Sequence, residues 1–343
     1  MSVPRVRVLV VDDSAFARKV ISETLARCPV IEVVGTARDG IDALEKVTLL
    51  SPDVVTLDLA MPILDGLGFM AALPPDPPRV IVVSSAADQS DMVIEALQMG
   101  AISFVQKPTA HATDRLYDIE AALTEEVLRA VRARPIARRA APAAPVPVVG
   151  PTRHKIVVVG ASTGGPQALT ELFNALPSGF PVPLAVVLHI PPGYTEAFAK
   201  RLDQTSPLAI EEARDDLVMR PATATVARAG VHLVIVRNAD GAPRAQLDVV
   251  PLDALHRPSV DVLFTSAALA FGADVLGVVL TGMGADGLEG ARAIHRAGGT
   301  LLTQSEESCV VYGMPRAIVE AGLSAASVPI EGMAAAIVAH LEG

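Results

Sequence analysis

Short β-branched apolar runs recur along this chain with amphipathic stretches between them, in two series separated by one proline-rich segment. The first series is Val6–Val11, Ile31–Gly35, Val54–Leu57, Val80–Val83 and Ser103–Val105; the second is Lys155–Val159, Leu184–Leu188, Val231–Val236, Val275–Leu280 and Thr300–Thr303. Apolar runs spaced by helix-length stretches predict parallel sheets covered by helices, because parallel neighbours need long crossovers. Residues 132–152, rich in Pro, Ala and Arg and without apolar periodicity, read as a semi-extended linker. A chain of 343 residues is long enough for two cores. The expected organisation is a domain over residues 5–125, a linker over 126–152 and a second domain over 153–343.

Composition narrows the classes of function. Hydrophobic residues make up 51% of the chain and aromatic ones only 3%, which suits Ala/Val/Leu packing in α/β layers. Residues 1–125 hold 10 Lys and Arg against 18 Asp and Glu, and residues 156–343 hold 11 against 19. Two acidic halves argue against nucleic acid as the main partner. Cys28 and Cys309 have no metal-type spacing and read as reduced thiols. No leader pattern and no membrane span is legible, so a soluble, cytoplasmic protein is expected.

Three carboxylates fall at predicted strand ends. Asp12 and Asp13 follow Val6–Val11, and Asp58 follows Val54–Leu57. The carboxyl edge of a parallel sheet is where such folds bind ligands. Three acids together repel one another, a hard cation such as Mg²⁺ relieves that repulsion, and a carboxylate held there can attack a phosphoryl group. Ser84 and Lys107 end further strands, where a hydroxyl and an ammonium could each hold a phosphoryl oxygen. Taken singly, Asp12 and Asp13 could be helix caps and Lys107 a solvated loop residue.

Through V-D-D-S (Val11–Ser14), L-D-L-A-M-P-I-L-D-G (Leu57–Gly66), V-S-S (Val83–Ser85) and F-V-Q-K-P (Phe104–Pro108), residues 5 to about 125 resemble a response-regulator receiver domain. The resemblance implies a flavodoxin-like fold with a parallel five-stranded sheet and phosphorylation at Asp58. It also implies Mg²⁺ held by Asp12, Asp13, Asp58 and the Ala60 carbonyl, with Ser84, Phe104 and Lys107 reporting phosphorylation. Many relatives have Glu where this chain has Ala60, a position that would use only its backbone oxygen.

The second half opens on G-A-S-T-G (Gly160–Gly164), directly after Lys155–Val159 and before Pro166, a favoured first helical residue. A serine on such a strand-turn-helix junction projects toward solvent, and neighbouring amides can hold an oxyanion. The backbone amides of Thr163 and Met283 are the oxyanion candidates. Gly160 and Gly165 also have Walker A spacing, but Pro166 stands where that motif needs Lys. His189 follows Leu184–Leu188, and Asp286 lies in T-G-M-G-A-D-G (Thr281–Gly287) after Val275–Leu280. Ser162, His189 and Asp286 would supply nucleophile, base and orienter, in an order that differs from the α/β-hydrolases. His232 and His256 have no equally good partner, and His111, His154, His295 and His340 read as surface or helix residues.

Residues 154–325 resemble the catalytic domain of the chemotaxis protein-glutamate methylesterases, the CheB family. The motifs are G-A-S-T-G-G-P, H-I-P-P-G-Y-T, H-R-P-S-V-D-V-L-F (His256–Phe264), L-T-G-M-G-A-D-G and S-C-V-V-Y-G-M-P-R (Ser308–Arg316). The resemblance implies a doubly wound α/β methylesterase domain with Ser162, His189 and Asp286 as its trio, needing no cofactor for hydrolysis. The implied substrates are glutamate methyl esters, and glutamines at the same positions, on methyl-accepting chemotaxis receptors. The implied phosphodonor is a sensor histidine kinase of the CheA type, and phosphorylation at Asp58 would relieve occlusion of the serine site. Relatives commonly have Gln where this chain has Leu188, Pro-Gly where it has Pro221-Ala222, and a proline within 227–230, where it has Ala227-Arg228-Ala229-Gly230. A DNA-binding regulator would want a basic output helix, which the acidic second half opposes. A catalytically weak, phosphorylation-dependent scaffold is the alternative that the residues leave open, and methanol release separates the two.

Overall fold

The computed structural model describes residues 5–84, 90–107, 116–133 and 152–342. The chain divides into two compact units, residues 1–139 and 140–343. In the first, five strands and five helices alternate: β1 (Val6–Val11), α1 (Ala15–Ala26), β2 (Ile31–Ala37), α2 (Gly40–Leu50), β3 (Val54–Leu57), α3 (Gly66–Ala72), β4 (Arg79–Ser84), α4 (Ser90–Gln98), β5 (Ser103–Gln106) and α5 (Leu116–Arg132). The strands form one parallel sheet in the order β2-β1-β3-β4-β5. Val8, Leu9, Val10, Val54, Val55 and Leu57 are fully buried, as continuous apolar strands of a covered parallel sheet must be. Side chains start the helices: Ser14, Asp39 and Asp65 accept from the amides of Ala17, Asp42 and Gly68. Because α5 runs to Arg132, residues 126–132 are helix rather than linker. Amphipathic spacing continues through Val127 and Ala130, both buried, and carries the helix past the expected boundary. Residues 134–151, Ser85, Pro108 and His111 lie outside the described residues.

The second unit begins with β6 (Ile156–Ala161), α6 (Gly165–Ala175), β7 (Leu184–Leu188), α7 (Thr195–Thr205), β8 (Ala209–Glu212), β9 (Leu217–Val218), β10 (Thr223–Val226), β11 (His232–Arg237) and β12 (Pro243–Asp248). It continues with α8 (Val260–Phe271), β13 (Val275–Val279), α9 (Leu288–Arg296), β14 (Thr300–Gln304), α10 (Met314–Glu320), β15 (Ala326–Val328) and α11 (Ile330–Glu342). Seven strands make a parallel sheet in the order β15-β14-β13-β6-β7-β10-β8. Helix α6 packs with α7 and α11, while α9 packs with α8 and α10, giving the sheet two helical layers.

The run at 231–236 is the exception to the expected alternation. As β11 it pairs antiparallel with β12, and β12 with β9, in a separate three-stranded sheet that rests on α8. The reason is local: Asn238-Ala239-Asp240-Gly241 makes a tight reversal, with the Gly241 amide donating to the Asn238 carbonyl at 3.0 Å and Gly241 at φ 83°. A loop that short can only return the chain antiparallel. Ala222 lies at φ 57° in the left-handed region. Leu188 is fully buried, with its Cδ1 2.6 Å from where a Cβ at Gly165 would stand.

Candidate functional sites

Each parallel sheet has a switch point in its strand order, and the chemistry-bearing residues collect at the strand ends around it. The first sheet reverses between β1 and β3. Asp12 and Asp13 leave β1 and Asp58 leaves β3, with one carboxylate oxygen from each inside a 4.8 Å cluster. Lys107, just past β5, puts Nζ 2.6 Å from Asp12 Oδ2 and 2.8 Å from Asp58 Oδ2. The loop is pinned from outside: Arg18 Nη1 donates to the carbonyls of Asp12 (2.7 Å) and Asp13 (3.0 Å), and the Ser14 amide donates to Asp12 Oδ1 at 3.0 Å. Burial pushes the Asp58 carboxyl up, against the lowering influence of Lys107. Burial works against the Lys107 ammonium, but the two carboxylates outweigh it and leave its proton held more tightly than usual. One lysine cannot balance three acids, and among the described residues Asp58 Oδ1 is buried with no hydrogen-bond partner. An orphaned carboxylate oxygen in such a cluster fits a hard divalent cation. Ser84 is buried at the end of β4, its carbonyl accepting from the Lys107 amide at 2.6 Å, Phe104 is half-buried on β5, and Ala60 is exposed beyond Asp58.

The second sheet reverses between β6 and β13. Ala161 is in register with Leu188, so the next residues, Ser162 and His189, stand side by side at the ends of β6 and β7. The His189 amide donates to the Ala161 carbonyl at 3.1 Å and the Ser162 amide to the Thr281 carbonyl at 3.0 Å, which ties the three strand ends together. After Ser162 the chain turns through Gly164 at φ 76°, where a Cβ would come within 2.5 Å of Val310 Cγ2. Only glycine fits that turn into α6. At Gly282 a Cβ would stand 2.9 Å from Ser162 Cβ, so glycine lets the loop after β13 close on the serine.

His189 Nε2 is 2.8 Å from Asp286 Oδ2, and among the described residues the buried His189 Nδ1 has no hydrogen-bond partner. The acid itself is cradled by the first turn of α8. Asp286 Oδ2 accepts from the Val260 amide at 2.8 Å, and Oδ1 accepts from the Ser259 hydroxyl at 2.9 Å and the Asp261 amide at 3.0 Å. A helix N-terminus is a natural seat for a carboxylate. Burial opposes ionisation of Asp286, yet His189 and these amides prevail and hold it well below the usual carboxylate range. Asp261 moves the other way, up to about 6, through burial and the neighbouring Asp286 charge, although the Gly290 amide donates to it at 2.8 Å.

Thr281 is a buried knot under the site. Its hydroxyl donates to the Thr163 carbonyl at 3.0 Å and accepts from the Val311 amide at 3.0 Å, while its amide donates to Gln304 Oε1 at 2.7 Å. These bonds fix the loops that carry Thr163 and Met283. Among the described residues neither the Thr163 nor the Met283 amide has an acceptor within the protein, as oxyanion donors require.

Several residues differ from their sequence reading. His154 is fully buried rather than on the surface, because it precedes β6 where the chain enters the core. His232, also buried, has partners after all: Nδ1 accepts from the Ser259 amide at 3.2 Å, and Nε2 lies 3.2 Å from the Pro251 carbonyl. His256 stacks on His189 with ring centroids 4.1 Å apart. Ser259, Thr281 and Gln304 join the site without belonging to the expected trio. Only the first carried a signal, a serine directly before an apolar helical run. Cys28 and Cys309 are free thiols, half-buried and buried. Among the described residues no helix is long and apolar enough to cross a membrane.

Residues 157–337 match the CheB methylesterase family and residues 8–118 match the response regulator receiver domain. Protein-glutamate methylesterase/protein-glutamine glutaminase 5 of Myxococcus xanthus is 55% identical over 342 residues, spanning 98% of this chain and 98% of the relative. The protein-glutamate methylesterase/protein-glutamine glutaminase of Geobacillus kaustophilus is 42% identical over 97% of this chain and 98% of its own length. Among solved structures, the CheB methylesterase catalytic domain of Thermotoga maritima superposes with a TM-score of 0.53 at 37% identity, covering 54% of this chain and 98% of that one. A serine, histidine and aspartate gathered at one switch point and an acid cluster at another thus occur in a chain that belongs to the CheB methylesterase family, its catalytic unit preceded by a response regulator receiver domain.

Proposed function

We propose that the chain hydrolyses glutamate methyl esters, and deamidates glutamines, on the cytoplasmic helices of chemotaxis receptors. Ser162 is the nucleophile, His189 the base and Asp286 the residue that orients it. The observation that carries this reading is the 2.8 Å contact between His189 Nε2 and Asp286 Oδ2, with Ser162 next to His189 in the strand register. Asp286 occupies Nε2, so Nδ1 is the ring nitrogen left to serve the serine.

Ser162 Oγ gives its proton to His189 Nδ1 as it attacks the ester carbonyl, and the developing oxyanion turns toward the Thr163 and Met283 amides. When the tetrahedral intermediate collapses, that proton passes to the methoxy oxygen and methanol leaves, or to the amide nitrogen and ammonia leaves. Water, deprotonated in turn by Nδ1, attacks the acyl carbon and the proton returns to Ser162. Asp286 keeps its negative charge throughout and stabilises the imidazolium.

In the receiver, Asp58 accepts a phosphoryl group from the phosphohistidine of a CheA-type kinase. Asp12, Asp13, Asp58 and the Ala60 carbonyl would hold Mg²⁺, which when bound offsets the charge of the incoming phosphoryl group. Lys107, already between Asp12 and Asp58, is placed to pair with a phosphoryl oxygen. Ser84, at the end of β4, and Phe104, within β5, relay the change. The test is methanol release from methylated receptor membranes by Ser162→Ala. Loss of turnover on the order of a millionfold, with the circular-dichroism spectrum unchanged, is expected. Near-normal release would end the serine mechanism.

A further inference from the structure

The ring of His256 lies flat against that of His189, with centroids 4.1 Å apart and planes within 20° of each other. His189 is otherwise held along one edge, by the Nε2 contact to Asp286, while among the described residues Nδ1 has no hydrogen-bond partner. A single hydrogen bond fixes the direction of Nε2 but leaves the ring free to tilt about that line. A flat neighbour at van der Waals distance removes the tilt, because turning the imidazole would drive its atoms into the second ring. The support is itself anchored. Next to His256, the Arg257 carbonyl accepts from the Gly230 amide at 3.0 Å and Arg257 Nη2 donates to the Leu252 carbonyl at 2.9 Å. Three residues further on, Ser259 begins the cradle of Asp286. One short segment therefore supplies both the flat wall and the acid's seat.

We propose that His256 is a positioning residue for the general base: its ring face fixes the plane of His189, keeps Nδ1 directed at Ser162, and supports the positive charge that His189 gains during attack. An aromatic face next to a forming cation is favourable, and a base misplaced by a fraction of an ångström loses rate rather than binding. This inference rests on His189 being the base.

The test uses the full chain and methanol release from methylated receptor membranes. For His256→Ala, kcat is expected to fall about 10- to 100-fold with KM within about twofold. His256→Phe, which keeps a flat face but no ring nitrogen, should recover to within about threefold of the parent. His256→Leu, of similar bulk but without a flat face, should stay near the alanine variant. The proton between His189 and Asp286 gives a second readout. Its low-field NMR resonance should persist in the phenylalanine variant and broaden in the leucine one, a difference that a role confined to stability would not produce. The proposal is overturned by an alanine variant at parental rate, by a phenylalanine variant as slow as alanine, or by leucine matching phenylalanine. If the alanine variant does not fold, the phenylalanine and leucine pair carries the test alone. Turnover surviving in Ser162→Ala would remove the base reading as well; a dead Ser162→Ala beside a fully active His256→Ala would remove only the stack.

Discussion

Asp286→Asn puts the greatest demand on the proposed chemistry, because all four donors around the carboxylate are known. Oδ2 faces His189 Nε2 and the Val260 amide, and Oδ1 faces the Ser259 hydroxyl and the Asp261 amide. An asparagine must place its NH₂ on one of these sides. Toward Oδ2 it meets the Val260 N–H and forces His189 to accept at Nε2, which moves the ring proton to Nδ1 and disables the base. Toward Oδ1 the serine hydroxyl can turn and accept, but the Asp261 N–H loses its acceptor at a cost of about 1–3 kcal/mol. The second orientation is the better one, and it keeps the useful tautomer while losing the charge that supports the imidazolium. The expected loss in kcat is therefore about 10³- to 10⁴-fold, or roughly 4–5.5 kcal/mol, with KM little changed. The assay is steady-state methanol release, paired with thermal unfolding followed by circular dichroism because the chain has no tryptophan. In the double variant with His189→Ala the asparagine should add almost nothing, since the acid works only through the base. A rate within tenfold of the parent, or two defects that simply multiply, would refute the assignment.

Asp58→Asn should leave the basal rate in place and abolish the response to acetyl phosphate; a full response would move the phosphoacceptor elsewhere. The fragment 151–343 should exceed the unphosphorylated full chain in rate, and a folded fragment at or below that rate would exclude inhibition by the receiver. Asp261 titrates near 6 in the fold against 3.8 as a free carboxyl, so the folded state holds the extra proton between those values and stability falls as pH rises through them. Asp261→Asn should consequently raise the melting temperature above pH 6 and leave it unchanged below about pH 4; an equal shift at both ends would remove the carboxyl pair as the cause. Ala222→Gly should stabilise the second unit by about 0.5–1 kcal/mol in denaturant melts, because a Cβ at φ 57° is strained.

Both sites were legible at the level of strand ends. In a parallel sheet every strand delivers its next residue to the same edge, so Asp12, Asp58, Ser162 and His189 could be placed from apolar runs alone. The support beneath them was not legible, because it comes from contacts distant in sequence. Thr281 reaches Thr163 across 118 positions, and nothing around either residue announces the pair. The stack of His256 on His189 was not legible either, because stacking leaves no spacing pattern. The run at 231–236 has the same β-branched look as the parallel strands, and only the tight N-A-D-G reversal after it shows that it returns as a hairpin. Residues 126–132 have helical periodicity running directly into the arginine- and proline-rich stretch, so composition set that boundary too early.

The seat of Asp286 bears on what regulation can act upon. Its three fixed donors come from consecutive residues at one helix end, and none of them waits for a substrate. On the proposed function, this part of the machinery for proton transfer is in place when the domain folds. On that reading, a signal at Asp58 need not build the seat of the acid and would act on how often a receptor helix reaches Ser162. A small ester or a covalent serine probe, needing no such access, should react at much the same rate whether or not the chain is phosphorylated.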